Sequence, residues 1–473
     1  MEDNLWINQK EAIQFAMSRN AVMLDMDMGT GKTRVAIEVA LARSDVHKIL
    51  VVCPKAVIRV WRENLLKFHN HENWVCWDDT KGTITNKTKS LVYWFEEYVP
   101  KINDTETQPA KQFVIINYDA VWRTPIGDFL YKKCRFDMVI LDESHRAKAA
   151  GSKVSKYLSM LGKSVKYRMC LSGTPLANSP LDVYGQYRFL DPFVFGTNYR
   201  LFLQEYAVMG GPDLNFVVGF KNQRKLKEKF DSLAYHCKMS DIADRIKLPE
   251  VLPPTLIDVC LPSRDRKTIK DLSKEFVAEC GFGHVVVNNI LVSILRMQQI
   301  CSGFCFTKES VFDNEEIQEL NTSKEDSLFE ILNDISPEDS VVVFCKFRHD
   351  LEAINRASQK GGREYFELSG SSNMLDQWKE HNGAVMGVQI QAGAEGVDMT
   401  KANHAIYFSL PHSLAMYEQS KARLYRPGQT RPVSFTHLIV RDTIDEAIYN
   451  SLVRKEDIIE SIKAGTFDFG YLH

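Results

Sequence analysis

Among its ten cysteines the 473-residue chain has no Cys-x-x-Cys pair. The closest two, Cys301 and Cys305, have no second Cys/His pair at ligand spacing, which argues against a structural zinc site. The thiols are scattered and are read as reduced and mostly buried, not as a disulfide framework. No apolar run reaches the roughly 18–20 residues that a membrane-spanning helix needs. The opening Met1-Glu2-Asp3 is unlike a secretory signal. A soluble, intracellular protein with no membrane contact is expected. An excess of positive charge is also absent: 59 Lys and Arg face 61 Asp and Glu, a net charge of −2. Any binding of nucleic acid must therefore use a local basic surface. There is no internal repeat of 20–50 residues and no long low-complexity tract.

What is present is ordinary for a globular chain, 44% hydrophobic and 25% charged. The length exceeds a single hydrophobic core, so two or three domains are expected. Short apolar runs alternate with helical patterns, first in one half and then in the other. They are Val22–Leu24, Ile49–Val52, Val114–Ile116 and Met138–Leu141, then Val341–Phe344, Val385–Val388 and Ala405–Phe408. This alternation predicts α/β architecture with two parallel-sheet lobes. Lobe one is expected over 1–262, with a helical insertion at about 182–247. A helical linker is expected over 263–305, and lobe two over 306–473. Residues 78–112 are polar and weakly periodic, and read as a surface excursion.

The strongest local signal is Met28-Gly29-Thr30-Gly31-Lys32-Thr33, between the apolar run ending at Leu24 and the helical run from Val35 to Ala42. Strand, Gly-rich loop and helix in that order make a phosphate-binding loop. Glycines let backbone N–H groups approach phosphate, and the helix N-terminus adds partial positive charge. Lys32 is expected on the β- and γ-phosphates of a nucleotide and Thr33 on Mg²⁺. The generic pattern has Gly or Ala where this chain has Met26. The strand-like run ending at Leu141 continues into Asp142-Glu143-Ser144-His145. Carboxylates at the C-terminal end of a parallel strand point into the ligand crevice. Asp142 is expected to hold Mg²⁺ and Glu143 to orient and deprotonate the attacking water.

With both motifs placed, the chain resembles the Snf-type DNA translocases of the helicase-like superfamily with Asp-Glu-x-His boxes, and the resemblance runs over nearly its whole length. Gln9 resembles the family's adenine-reading glutamine. Val52-Cys53-Pro54-Lys55, followed by Trp61, resembles the first DNA-contacting motif, and Ile116-Asn117-Tyr118 the next. Leu171-Ser172-Gly173-Thr174-Pro175-Leu176-Ala177-Asn178 resembles the coupling motif, and Leu190-Asp191-Pro192-Phe193-Val194-Phe195-Gly196 its Snf-specific continuation. In the second half, Val341–Phe347 resembles the motif opening lobe two. Gln391-Ala392-Gly393-Ala394-Glu395-Gly396-Val397-Asp398 resembles a loop that contacts DNA and senses the nucleotide. Gln419–Gln429, carrying Arg423 and Arg426, resembles the arginine-finger motif. The spacing of Arg423 and Arg426 would put both on one helix face, able to neutralise charge on the γ-phosphate. Ser144 stands where the family commonly has Ala, Thr30 where it has Leu, and Met26-Asp27 where it has Asp-Glu.

The resemblance implies two RecA-like lobes with an ATP site between them. The cofactors it implies are ATP and Mg²⁺, bound through Gln9, Gly29, Thr30, Gly31, Lys32, Thr33, Gly396 and Asp398. The implied partner is double-stranded DNA, held through its backbone without sequence reading, by Lys55, Asn117, Tyr118, Asn178, Lys346, Gln391 and Lys421, with Lys148 and Arg348 as further candidates. It names no protein partner and is compatible with a monomer. The form of the coupling motif and the compact length lean towards the annealing-helicase or viral and bacterial members. The basic run Lys221–Lys229 reads either as a DNA grip or as a solvated amphipathic helix. A strand-separating DNA or RNA helicase and a nucleotide-dependent binding protein remain as alternatives. Asp468-Phe469-Gly470 is not a kinase motif, because the catalytic loop and Ala-Pro-Glu partner are missing.

Overall fold

A computed structural model describes residues 5–69, 74–79, 82–103, 111–176, 179–210, 216–242, 246, 248–281, 287–307, 316–393 and 397–455. The chain divides into two compact units, 1–246 and 247–473.

Unit one is built on a seven-stranded sheet. Its strands are β1 (Ala21–Met26), β2 (Lys48–Cys53), β3 (Trp74–Asp78), β4 (Lys111–Asn117), β5 (Met138–Asp142), β6 (Tyr167–Ser172) and β9 (Ala234–Cys237). They lie in the order β3-β4-β2-β5-β6-β1-β9, every neighbouring pair parallel. Between β6 and β9 an antiparallel hairpin forms from β7 (Ala207–Gly210) and β8 (Phe216–Phe220). Alternate residues of β2 enter two different cores. Leu50 and Val52 pack on one side, while Ile49, Val51 and Cys53 pack on the other. A strand covered on both faces needs apolar residues at every position, which is why β2 and β5 read as continuous runs.

Unit two carries a six-stranded sheet of β10 (Thr255–Asp258), β13 (Val341–Cys345), β14 (Tyr365–Leu368), β15 (Val385–Gln389), β16 (His404–Tyr407) and β17 (Ser434–Ile439). The order is β10-β17-β16-β13-β15-β14, again all parallel. A small antiparallel pair, β11 (Phe304–Thr307) and β12 (Glu316–Glu319), stands beside it. The fold is thus α/β with two parallel-sheet lobes.

Three expectations change. The first unit ends near residue 246, not 262, because β10 pairs with β17 of the second sheet and Val251 bridges to Val433. The chain therefore passes into unit two just before Pro249, ahead of β10. The insertion at 182–247 is only partly helical, since it contains the β7–β8 hairpin and the edge strand β9. The stretch 78–112 is no polar excursion: it folds as helices Ile84–Tyr93 and Val99–Asn103, joined by a π-turn, and buries Leu91, Trp94 and Val99 in the core. The expected linker, 263–305, contains helices Ser263–Gly281 and Val287–Cys301, both within unit two. No described helix is long and apolar enough to cross a membrane.

Candidate nucleotide site and nucleic-acid track

The phosphate loop leaves the C-terminal end of β1 and enters the helix Lys32–Ala42 at Gly31. Gly29 and Gly31 adopt φ of 83° and 91°, a region that glycine occupies without steric cost. At Gly31 a Cβ would come within 2.1 Å of Gln9 Nε2, so a side chain there would have to push the Gln9 carboxamide aside. Gln9 is 5% exposed; its carboxamide accepts from Trp6 N at 3.0 Å and reaches the Thr30 carbonyl at 3.5 Å. Asn8 Nδ2 donates to that same carbonyl at 3.2 Å. The loop is braced from below as well. Thr30 Oγ1 donates to the Asp27 carbonyl at 2.7 Å, and Asp27 Oδ2 accepts from Met239 N at 2.8 Å. Thr30 and Asp27, two departures from the family pattern, are therefore structural. Lys32 is buried and donates to the carbonyls of Met26 at 2.7 Å and Asp27 at 3.1 Å.

Asp142 ends β5, one strand removed from β1. Its Oδ2 accepts from the indole N–H of Trp61 at 2.8 Å, its Oδ1 from Glu143 N at 3.0 Å, and its carbonyl from Tyr118 Oη at 2.9 Å. Burial and the neighbouring Glu143 push the Asp142 carboxyl up to about 6, against the pull of Trp61 and Lys32. Lys32 and Asp142 thus lie within electrostatic reach of each other. Glu143 adopts φ of 52°, in the left-handed region, and its Oε2 is buried without a hydrogen-bond partner among the described residues. His145 Nδ1 lies 3.4 Å from that Oε2 and 3.3 Å from Ser172 Oγ. Burial lowers the His145 imidazole below its ordinary value, so it acts as a neutral partner.

The acidic box is also wired to the coupling motif. Ser144 Oγ donates to Gln186 Oε1 at 2.7 Å, and Gln186 Nε2 donates to the Pro175 carbonyl at 2.7 Å. Ser144 is hence a connector, a role that an alanine there would not fill. Gly173 faces Lys32 across the loop, since a Cβ on it would lie 3.5 Å from Lys32 Nζ. One edge of one sheet therefore gathers Gln9, the phosphate loop, Asp142, Glu143, His145 and the Ser172–Pro175 turn.

Several residues expected on nucleic acid are placed elsewhere. Asn117 is buried, donating to Asp79 and accepting from Asp119 N at 3.0 Å and Ala120 N at 2.9 Å. Tyr118 is buried with its hydroxyl on Asp142. Both support the site from within and do not face a surface ligand. Trp61, read as part of a DNA motif, is fully buried and serves Asp142; nothing in the sequence marks its indole for that task. Lys346 is enclosed, with Nζ 2.7 Å from Gln298 Oε1 and 2.6 Å from His412 Nε2. Burial pushes its ammonium down to about 7. Lys148 pairs with Asp182 at 3.0 Å, and Arg348 donates to Ser371 at 3.4 Å. Lys421 is half-buried, 3.6 Å from Glu418. Lys55 and Gln391 are exposed. Asn178 and Gly396 lie outside the described residues.

Arg423 and Arg426 do not share a helix face. The helix Leu414–Lys421 ends first, and both arginines lie in the turns that follow. Arg423 is 2% exposed and its carbonyl accepts from Met399 N at 3.2 Å. Burial pushes the Asp398 carboxyl up, but Arg426 and two bonds from Thr400 outweigh it and hold it below its ordinary value. Asp398 thus feels the charge of Arg426 within unit two. The helix Gln223–Asp231, which carries most of the basic run, has three of its four cations paired: Arg224 with Glu228 at 3.0 Å, Lys227 with Asp231 at 2.6 Å, and Lys225 with Glu205 at 2.5 Å. The nine described cysteines are all free thiols, and no described cluster of His, Cys, Asp and Glu has the makings of a metal cage.

The comparisons agree with this arrangement. The SNF2-related domain matches residues 8–302, and the helicase conserved C-terminal domain matches 323–428. The chicken DNA repair and recombination protein RAD54B is 23% identical, over 96% of this chain and 54% of its own length. The putative protein p41 of an aphid secondary endosymbiont phage is 25% identical, with 91% of each chain covered. The cattle DNA annealing helicase and endonuclease ZRANB3 is 25% identical, over 97% of this chain and 40% of its own length. The chain thus spans about half the length, or less, of most of the curated relatives it matches. The match over 8–302 covers more than half of the sequence, and the chain belongs to the SNF2-related family.

Proposed function

We propose that the chain is a DNA-dependent ATPase that hydrolyses ATP to move along double-stranded DNA. One observation carries the reading: a left-handed Gly-rich loop, a buried lysine and two buried carboxylates converge at the C-terminal edge of one parallel sheet. The residues fit a magnesium nucleotide. Glycines stand where phosphate must approach backbone, and Glu143 Oε2 is a buried acceptor with no hydrogen-bond partner among the described residues. Bound MgATP supplies the scissile anhydride and a divalent charge that offsets phosphate repulsion.

The chain's own residues do the remainder. The backbone N–H groups of Gly29–Thr33 cradle phosphate oxygens, and Lys32 turns from the Met26 and Asp27 carbonyls onto the β- and γ-phosphates. Thr33 and Asp142 would hold Mg²⁺, with Asp142 aimed by Trp61. Glu143 accepts a proton from the attacking water, and the neutral His145 beside it links that carboxylate to Ser172. The chain Ser144–Gln186–Pro175 carries movement at the acidic box to the coupling turn. Arg423 and Arg426 of unit two remain the arginine-finger candidates, and Asp398 lies in the field of Arg426. Lys55, Gln391 and Lys421, accessible or half-accessible, serve the phosphate backbone of the duplex.

ATP turnover measured with and without duplex DNA tests the proposal, with a strong rise on adding DNA as the expected result. Negligible turnover in both conditions would favour a nucleotide-dependent binding protein. Displacing a triplex strand without separating a duplex is expected of a translocase, whereas duplex separation would assign a helicase.

A further inference from the structure

The stretch between Glu143 and Asp182 is free of acid. Residues 144–181 include seven lysines and arginines and no Asp or Glu, in a chain whose acids outnumber its bases 61 to 59. Several of these cations are committed. Lys148 holds Asp182 at 3.0 Å, Lys166 holds Asp45 at 2.6 Å, and Arg168 donates to the Gly162 carbonyl at 3.3 Å. Lys156 and Lys163, on the helix Lys153–Lys163, are different: both are exposed, and neither meets a carboxylate among the described residues.

Seven residues apart, they share one helix face about 10.5 Å apart along the axis, at roughly 1.5 Å per residue. Ser159 and Met160 lie between them, and Arg188 and Thr197 close the opposite wall of a cleft of about 330 Å³. No acidic side chain lines this cleft. Its arginine is held in place: Arg188 Nη1 donates to the Ala150 carbonyl at 3.3 Å, and Ser159 Oγ donates to the Arg188 carbonyl at 3.3 Å. The helix runs from the C-terminal end of β5 to the N-terminal end of β6. Lys163 therefore lies towards the end of the sheet opposite the phosphate loop.

We propose that this cleft is a second nucleic-acid contact, which grips the phosphate backbone of a duplex away from the nucleotide site. This rests on the reading of the chain as a DNA motor. Three cations with no intervening acid suit a row of phosphates better than a single small anion, which favours an enclosed pocket. The cleft offers neither stacking aromatics nor base-reading amides, so the grip is independent of sequence. The helix Gln223–Asp231 is more basic in sequence, but three of its four cations are already paired, two with its own acids and one with Glu205.

The test is duplex binding by the full chain across a salt series, comparing wild type with Lys156→Gln/Lys163→Gln. Each phosphate contact contributes about 0.9 to the slope of log affinity against log salt. The double variant is expected to lose about 1.8 from that slope and to bind less tightly at low salt. Lys156→Arg/Lys163→Arg should restore both, and DNA-free ATP turnover should stay at the wild-type rate in every variant. An unchanged slope in a chain that binds DNA overturns the cleft alone. Absence of salt-dependent duplex binding in wild type overturns both the cleft and the motor reading. Polyglutamate binding that Lys156→Gln/Lys163→Gln abolishes, with an unchanged DNA slope, would assign the cleft to an acidic protein and overturn it as well.

Discussion

At the scale of single residues the nucleotide site yields the sharpest expectations. Lys32→Ala removes the phosphate-facing ammonium, and Glu143→Gln removes the proton acceptor while keeping its shape. Each is expected to lower kcat by at least about 10²–10³-fold, the usual cost of deleting one charge-stabilising group, with the thermal midpoint nearly unmoved. Wild-type turnover in either variant would refute the site. Trp61→Phe deletes the indole donor to Asp142. A hydrogen bond to a charged group contributes about 1.5–3 kcal/mol, so the half-saturating Mg²⁺ concentration should rise roughly tenfold. Nucleotide-analogue binding titrated with Mg²⁺ reads this without turnover, and an unchanged Mg²⁺ response would show that Trp61 only fills space. Lys346 gives a pH signature. Its folded-state value near 7 lies below the ordinary 10.5, so the folded chain binds this proton less well than the unfolded one. Stability should then rise with pH from about 7 towards 10.5, by up to about 1.4 kcal/mol per pH unit. Lys346→Met should flatten that rise in denaturant midpoints measured between pH 7 and 9.

The phosphate loop and the acidic box were legible because their chemistry is local: glycines, a lysine and two carboxylates at fixed offsets along the chain. Trp61 and Gln186 were not, since their roles depend on partners 81 and 42 residues away. Asn117 and Tyr118 stood in a recognisable motif, but a motif gives position along the chain and not the direction in which a side chain points.

At the scale of elements, unit two is fastened by a buried ion pair. Lys324, on the helix Ser323–Asp334, reaches Asp445 at 2.6 Å and the Phe408 carbonyl at 2.9 Å, with both side chains almost fully buried. It joins the start of that helix to the start of the helix Ile444–Val453 and to the end of β16. Breaking such a pair from one side strands the other charge and costs about 3–5 kcal/mol. Lys324→Ala should therefore lower the denaturant midpoint sharply, whereas Lys324→Met/Asp445→Leu should recover most of the loss. Equal losses from the single and double changes would show that packing volume, not charge, holds the joint. Fully buried strands such as β2 and β13 were readable as apolar runs. The helices over 84–103 were not, because their buried positions, Leu91, Trp94 and Val99, are thinly spread through polar sequence. Edge strands β9 and β10 are four residues each, too short to show a period, so their membership waits on which sheet offers a free edge.

At the scale of the whole molecule, near-zero net charge means that the proposed attraction to DNA has to be local and reversible. A motor that releases and regrips at every step gains from this, because a uniformly basic surface would hold it in place. DNA-stimulated turnover should accordingly fall steeply as salt rises, while DNA-free turnover changes little; parallel decline of both would argue against backbone contacts as the coupling. The two-lobed plan was legible from the doubled alternation of strands and helices. The point of division was not, because a four-residue strand such as β10 carries no local sign of which sheet it will pair with.

The collision that a methyl group at position 31 would make with Gln9 Nε2 reaches further than one turn. The segment that opens the chain and the loop that follows β1 are cut to fit each other like key and ward. A larger residue at 31 would have to lift the Gln9 carboxamide from the Thr30 carbonyl, so a change in either segment is felt by the other.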